Sequence, residues 1–160
     1  MTAEYSVRAA TPDDAEFVLE LFAREHVRPF THGPRSIEDF HRSLTIGGKE
    51  VAILERGGRP FGNICLGTSL PWLLELQVIA MWESGRGAGR FGMQYVKWRG
   101  FDDLRVNRIY LEVVAANARA RTLYERSGFT PEGLSRCGYR DVDGNFHDLA
   151  AYGMLATDPR

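Results

Sequence analysis

The sequence predicts a mixed α+β domain, and three observations predict it. The chain has 160 residues, enough for one well-buried core and too few for two. Hairpin-linked strand runs follow residue 48. Between residues 73 and 114 the order is strand, glycine-rich loop, helix, strand. The composition agrees, with 44% hydrophobic and 26% charged residues, a globular balance rather than a disordered one. No internal repeat or linker divides the chain, so residues 1–160 are expected to form one domain.

Each element has a local reason. Residues 5–9 read as a short strand. Thr11-Pro12-Asp13-Asp14 signals a helix start, with Thr as cap, Pro in the first turn and acids at the positive end. Phe17, Val18, Leu21 and Phe22 keep helical spacing, which fades near His26. Pro29 and His32-Gly33-Pro34 mark a loop, and Ser36 caps a second helix that Gly47 and Gly48 end. Residues 51–55 and 61–66 are strand-like, and Arg56-Gly57-Gly58-Arg59-Pro60 joins them as a hairpin turn. In the strand over 73–80, Leu74, Leu76 and Val78 alternate with Glu75, Gln77 and Ile79. Glycines crowd residues 85–92, and Phe91, Met93, Tyr95, Val96 and Trp98 place a helix that reaches about Phe101. Residues 108–114 form the clearest strand, and 117–128 a helix with an Asn cap and a Gly stop. Two closing strands, near 133–140 and 148–155, meet at Asp143-Gly144.

Twenty basic against 21 acidic residues leave a net charge of -1, which argues against a nucleic-acid partner. The distribution is uneven. Residues 86–126 hold nine basic side chains (Arg86, Arg90, Lys97, Arg99, Arg105, Arg108, Arg119, Arg121, Arg126) and four acidic ones, a net of +5. The other residues sum to -6. An anionic ligand on the first part and a cationic one on the second would fit this split. Cys65 and Cys137 make no disulfide framework and read as buried, reduced thiols of a cytoplasmic protein. His26, His32, His41 and His147 lack metal-ligand spacing, so no metal is expected. The first ten residues do not resemble a signal peptide. No apolar run approaches the ~20 residues of a membrane span, so no membrane partner is expected.

The loop Ser84-Gly85-Arg86-Gly87-Ala88-Gly89-Arg90 is the strongest chemical feature. Without Cβ atoms, several backbone N–H groups can converge on one phosphate, and the following helix aims its positive end at the same spot. Gly87 to Gly92 also satisfies GxGxxG, with Glu112 about 20 residues on, as in a dinucleotide-binding fold. Three features oppose that reading. The preceding strand ends too early, only 71 residues follow Gly89, and Glu112 sits inside an apolar strand.

With strand, glycine loop, helix and strand in this order, the chain resembles the GNAT acetyltransferases. Their Gln/Arg-x-x-Gly-x-Gly/Ala hallmark is matched by residues 84–89 except at Ser84. A second block, Leu111-Glu-Val-Val-Ala-Ala-Asn117, then Ala120, Leu123-Tyr124-Glu125 and Gly128-Phe129, is similar to the family's LEV…N…A…LYE…GF pattern. The opening at 7–15 and the ending with Glu132-Gly133, Asp143-Gly144 and Asp148 resemble the subgroup acting on ribosomal-protein N-termini and polyamines. The resemblance implies a mixed, mostly antiparallel sheet of six or seven strands flanked by about four helices.

It also implies acetyl-CoA as cosubstrate. Ser84, Gly85, Arg86, Gly87, Ala88, Gly89 and Arg90 would hold the pyrophosphate, with Arg86 or Arg90 replacing the donor that Ser84 lacks. Backbone groups at Gln77, Val78 and Ile79 would take the pantetheine arm where that strand splays from its neighbour. Asn117 matches the family Asn that contacts the cofactor, and it is equally an ordinary N-cap. Tyr124 matches the Tyr that protonates the departing thiolate; its alternative is a core aromatic. A phenol near pKa 10 stays protonated at neutral pH and can donate. For the base that deprotonates the amine, Glu75 is the first candidate and Glu112 the second; His26 and His32 border the expected acceptor pocket. The acceptor is a primary amine (small molecule, polyamine or protein N-terminus), bound by the first two helices, the loop over 26–35 and the hairpin over 138–147. A homodimer is compatible with this reading. The alternative from another class is a non-catalytic acyl-CoA-binding module on the same fold.

Overall fold

Local capping sets where the helices begin. The computed structural model describes residues 5–83, 85 and 87–159; Ser84 and Arg86, two of the expected pyrophosphate contacts, lie outside them. After β1 (Tyr5–Ala9) the chain turns through a short 3-10 segment, Pro12–Asp14, into α1 (Ala15–Ala23). The Asp14 carboxylate accepts from the Thr11 backbone N–H at 2.8 Å and from both terminal nitrogens of Arg8, at 2.7 and 2.8 Å. Asp14 is 5% exposed, and the Arg8 guanidinium holds its carboxyl below the usual range. Ser36 caps α2 (Ile37–Ser43), its hydroxyl accepting from the Asp39 backbone at 3.1 Å.

The expected hairpin joins β2 (Lys49–Arg56) to β3 (Arg59–Leu70). Both turn residues, Gly57 and Gly58, are left-handed, at φ 58° and 75°, as a two-residue type I′ turn requires. The chain continues through β4 (Leu73–Met81), α3 (Ala88–Lys97), β5 (Arg108–Val114), α4 (Ala118–Arg126), β6 (Thr130–Arg140) and β7 (Phe146–Leu155). The strands form one seven-stranded sheet in the order β1-β2-β3-β4-β5-β7-β6. Only β4 and β5 pair in parallel; every other neighbouring pair is antiparallel. The expected mostly antiparallel sheet with four α-helices is what forms.

Two hydrophobic clusters cover the two faces. α1 and α2 pack Val18, Leu21, Phe22 and Phe40 on Val51, Ile53, Cys65 and Ala80. Met93 of α3 and Tyr124 of α4 pack with Leu54, Leu66, Leu74, Leu76, Leu111 and Tyr152 on the other face.

Two departures from simple strand pairing shape the middle of the sheet. Cys65 pairs with Val78 while Leu66 pairs with Leu76, so Gln77 is an extra, bulged residue. The alternation read from the sequence therefore breaks. Val78 packs with Cys65 on the α1/α2 side, and Ile79 joins Leu74 and Leu76 on the α3/α4 side. Second, β4 and β5 pair only from Leu73–Arg108 to Leu76–Leu111. Beyond that, β4 stays on β3 to Met81 and β5 stays on β7 to Val114. The two central strands diverge, leaving a gap between residues 77–81 and 112–114.

Smaller expectations are corrected as well. α3 ends at Lys97, and the chain widens into a π turn, Trp98–Asp103, before Phe101 is passed. β6 begins at Thr130 and bulges between Ser135 and Tyr139. There Cys137 takes φ 51°, its N–H donating to the Asp148 carboxylate at 2.8 Å. Cys137 is thus exposed rather than buried, while Cys65 is buried and desolvation pushes its thiol up to about 11.

Candidate active site

A cleft of about 1130 Å³ opens between α3 and α4 on one face of the sheet. Its upper end is the glycine loop. Gly85 and Gly87 are left-handed, at φ 93° and 81°, a conformation that side chains with a Cβ disfavour. Gly89 has a different reason: a Cβ there would sit 3.0 Å from Leu123, so its bareness lets α3 pack against α4. Gly87 caps α3, which leaves the N–H groups of the first helical turn without intrahelical partners.

The cleft walls are basic. Arg90, Gln94 and Lys97 line it from α3, and Arg119, Thr122 and Arg126 from α4. Arg90, Arg119 and Arg126 have no carboxylate partner among the described residues, and Lys97 donates to the Ser127 carbonyl at 3.2 Å. The other basic side chains of that stretch have structural work. Arg99 pairs with Glu50 and Asp103, Arg108 with Glu132, Arg105 bonds the Asp102 carbonyl, and Arg121 bonds Tyr152 and the Ala115 carbonyl. The charge excess in the sequence thus divides into cleft-facing and fold-holding parts.

Asn117 and Tyr124 both line the cleft. Asn117 performs its capping role, its Oδ1 accepting from the Ala120 N–H at 3.2 Å. Tyr124 is 6% exposed and packs near Phe129 and Tyr152. Burial pushes its phenol above the ordinary value, so the proton stays on oxygen at any physiological pH.

Across the sheet, under α1 and α2, lies a second pocket of about 380 Å³. Val78 lines this pocket, whereas Ile79 lines the cleft. The bulge at Gln77 therefore makes the free edge of β4 a wall shared by two cavities on opposite faces. His32 lines this pocket, whereas His26 lines the cleft, bonded to the Met81 carbonyl at 2.9 Å. His32 also bonds the Arg140 carbonyl at 2.7 Å and stacks near Tyr139, which ties the α1–α2 loop to the β6–β7 hairpin.

Glu75 is half-buried on the α1/α2 side. Its carboxylate accepts from Gln77 Nε2 at 2.9 Å, and it leans over Gly67, where a Cβ would meet it at 2.8 Å. Burial and the adjacent Glu75 carboxylate together raise the Tyr110 phenol. Glu112, the second base candidate, is exposed on β5. Tyr124 and Glu75 are not brought together on one face; they stand on opposite sides of the β4–β5 opening.

Comparisons with known proteins bear on the family and the fold. The family model described as an acetyltransferase (GNAT) domain matches residues 6–130. The chain belongs to the GNAT acetyltransferase family. It is accordingly an N-acetyltransferase. The curated protein YdaF of Bacillus subtilis (strain 168), which carries the provisional name ribosomal N-acetyltransferase, is 26% identical, covering 96% of this chain and 92% of its own. A crystal structure of spermidine N-acetyltransferase from Vibrio cholerae, in complex with CoA and spermine, superposes with a TM-score of 0.83 over 96% of each chain. At 21% identity that likeness carries the fold alone. A second solved structure, provisionally named an acetyltransferase, is 25% identical with a TM-score of 0.80 over 97% of each chain. Among the described residues, no helix of this GNAT chain is long and apolar enough to cross a membrane.

Sequence reasoning named Arg90 but missed the rest of the cleft's helix stripes, although Arg90, Gln94 and Lys97, and Arg119, Thr122 and Arg126, each recur at helical spacing. It also missed Lys49 and Asn63 in the second pocket, for which no local signal exists; Arg35 lies at the end of the loop it did name.

Proposed function

We propose that residues 1–160 form one N-acetyltransferase domain that moves the acetyl group of acetyl-CoA to a primary amine by direct attack on the thioester. The observation that carries this reading is the end of β4–β5 pairing at Leu76 and Leu111, between a basic cleft and a separate pocket. Backbone groups of Gly85, Gly87, Ala88 and Gly89, with Arg90, hold the pyrophosphate, and Ser84 and Arg86 belong to the same loop. The unpaired β4 edge at Gln77, Val78 and Ile79 takes the pantetheine arm, and Asn117 contacts it beside its cap. The thioester then lies in the gap, reachable from the α1/α2 side.

The chemistry follows from the two faces. The amine approaches on the Glu75 side, and Glu75 removes its proton, directly or through a water. The attacking nitrogen forms a tetrahedral intermediate, whose collapse breaks the C–S bond while Tyr124 on the cleft side protonates the sulfur. Backbone N–H groups of β4 polarise the carbonyl. Base and acid therefore need not meet, since the reacting carbon lies between them. No metal takes part in this scheme.

A homodimer belongs to the same reading. β6 is one edge strand of the sheet; Leu134 on it is 58% exposed, and Phe146 of the adjacent β7 is 64% exposed. A reducing, cytoplasmic setting suits an exposed free thiol at Cys137. The experiment is an amine-panel screen that follows CoA release with acetyl-CoA as donor. Release that depends on the amine supports the proposal; no release with small amines, polyamines or peptide N-termini overturns it.

A further inference from the structure

The pocket under α1 and α2 ends at Val78, one residue from the cleft-lining Ile79. Whatever fills it therefore lies against the β4–β5 gap. Its floor is apolar, from Val51, Cys65 and Val78, with one polar group, Asn63, which is 1% exposed. The Asn63 amide donates to the Ala52 carbonyl at 3.1 Å, and its Oδ1 accepts weakly from the Cys65 thiol at 3.5 Å. The charged walls are Arg35, Asp39 and Lys49.

These charges are not balanced. Asp39 is already committed, its Oδ1 accepting from Arg42 and its Oδ2 from the Arg35 backbone N–H, each at 3.3 Å. Neither Lys49 nor the Arg35 guanidinium has a carboxylate partner among the described residues. The Lys49 ammonium is close enough to oppose the effect of burial on the Cys65 thiol. His32 spends Nε2 on the Arg140 carbonyl. Glu50, next to Lys49, points to the other face and pairs with Arg99 at 2.8 Å. Glu75 shares a cross-strand row with Lys49: Lys49 faces Gly67, and Gly67 faces Glu75. Two strand spacings separate the outer pair, about 10 Å; Gly67 adds no side chain of its own, and the Glu75 carboxylate and the Gln77 amide lie over it.

We propose that the acceptor is a primary amine that also carries a carboxylate, held by Lys49 and Arg35 while its amine points to Glu75 and the β4–β5 gap. This rests on the acetyl-transfer reading above. A polyamine would bring further positive charge against two uncompensated cations in a half-enclosed pocket, where like charges repel more strongly than in water. Asp39, the one acid among the described residues lining the pocket, pairs with Arg42, which it shares with Glu38.

The test uses three acceptors that differ in the charge remote from the amine: 4-aminobutanoate, 4-aminobutanamide and 1,4-diaminobutane. Their kcat/KM values with acetyl-CoA, and their Kd values by calorimetry on CoA-saturated protein, are measured at low salt. The expected order is carboxylate first, amide about tenfold weaker and diamine weaker still. Lys49→Gln and Arg35→Gln should each pull the carboxylate-to-amide ratio toward one, with thermal melts confirming folding. A flat order, or the diamine ahead, in the wild-type Kd values overturns the inference whatever the variants do. Carboxylate-first binding without CoA release from any acceptor would sink acetyl transfer while leaving the charge selection standing.

Discussion

The cleft between α3 and α4 draws nearly all its lining from residues 79–97 and 117–127, whereas the pocket under α1 and α2 takes its residues from six separate segments, α1, the α1–α2 loop, α2, β2, β3 and β4. Phosphates can be held by what a short chain segment supplies unaided: bare backbone, a helix N-terminus and side chains repeated at helical spacing. Acceptor selection needs side chains converging from distant parts of the sequence. One face is thus locally encoded and the other assembled by the fold, and the reaction is placed where the two meet.

The strongest way to break this comparison is to remove the groups assigned to each face. Tyr124→Phe keeps the ring among Phe129 and Tyr152 and removes the proton. It should lower kcat by roughly 10²-fold or more and leave the KM for acetyl-CoA within about twofold, by steady-state kinetics. Because burial raises the Tyr124 phenol, it stays protonated beyond the ordinary value of about 10. Wild-type kcat should therefore show no Tyr124-dependent fall as pH rises from 7 to 10, and the variant's deficit should stay constant. Glu75→Gln should behave differently. Its loss, about 10²-fold at pH 7, should shrink toward pH 10 as the free amine, with a pKa near 10.4, becomes neutral without help. A constant Glu75→Gln deficit would remove Glu75 from the role of base.

Smaller effects test the anion cradle. Gly87→Val places a β-branched residue at φ 81°, a cost of about 1–3 kcal/mol. Thermal melting should drop by several degrees, and calorimetry should show acetyl-CoA binding weakened about tenfold as the loop shifts. Replacing both Arg119 and Arg126 by Gln should weaken binding by roughly threefold to tenfold at low ionic strength, with the gap closing in high salt. No such salt-dependent loss should appear for Lys49→Gln, which lies across the sheet.

The capping and turn chemistry was readable because it is short-range. Ser36, Asn117, Gly57-Gly58 and the Gly85/Gly87 pair each act within a few residues. The bulge at Gln77 was not. Leu74, Leu76 and Val78 are all apolar, so regular alternation fitted them, and the phase break appears only through pairing with Cys65 and Leu66. The same break decides which cavity Val78 and Ile79 face, which is why the sequence located the proposed acceptor pocket only roughly. His26 was misplaced for a related reason: a loop position says nothing about which face its side chain reaches.

The least effect on catalysis, and a separate one on stability, is expected at Asp14. Arg8 lowers its carboxyl in the folded chain, so this interaction stabilises the fold above the unfolded value of about 3.9 and is lost as pH falls through the lower folded value. Asp14→Asn should therefore be less stable than wild type at pH 7, by about 1 kcal/mol, because Asp14 is buried but the Arg8 side chain is 38% exposed to screening solvent. The difference should narrow in the most acidic melts while kcat stays near wild type.

The central claim, that donor and acceptor approach one gap from opposite faces, is tested most directly by a crystal structure with CoA and 4-aminobutanoate bound. It predicts the pyrophosphate over residues 85–89, the sulfur between 77–79 and 112–114, and the carboxylate beside Lys49 and Arg35. Finding both ligands on the α3/α4 face, or the sulfur outside that gap, would contradict it.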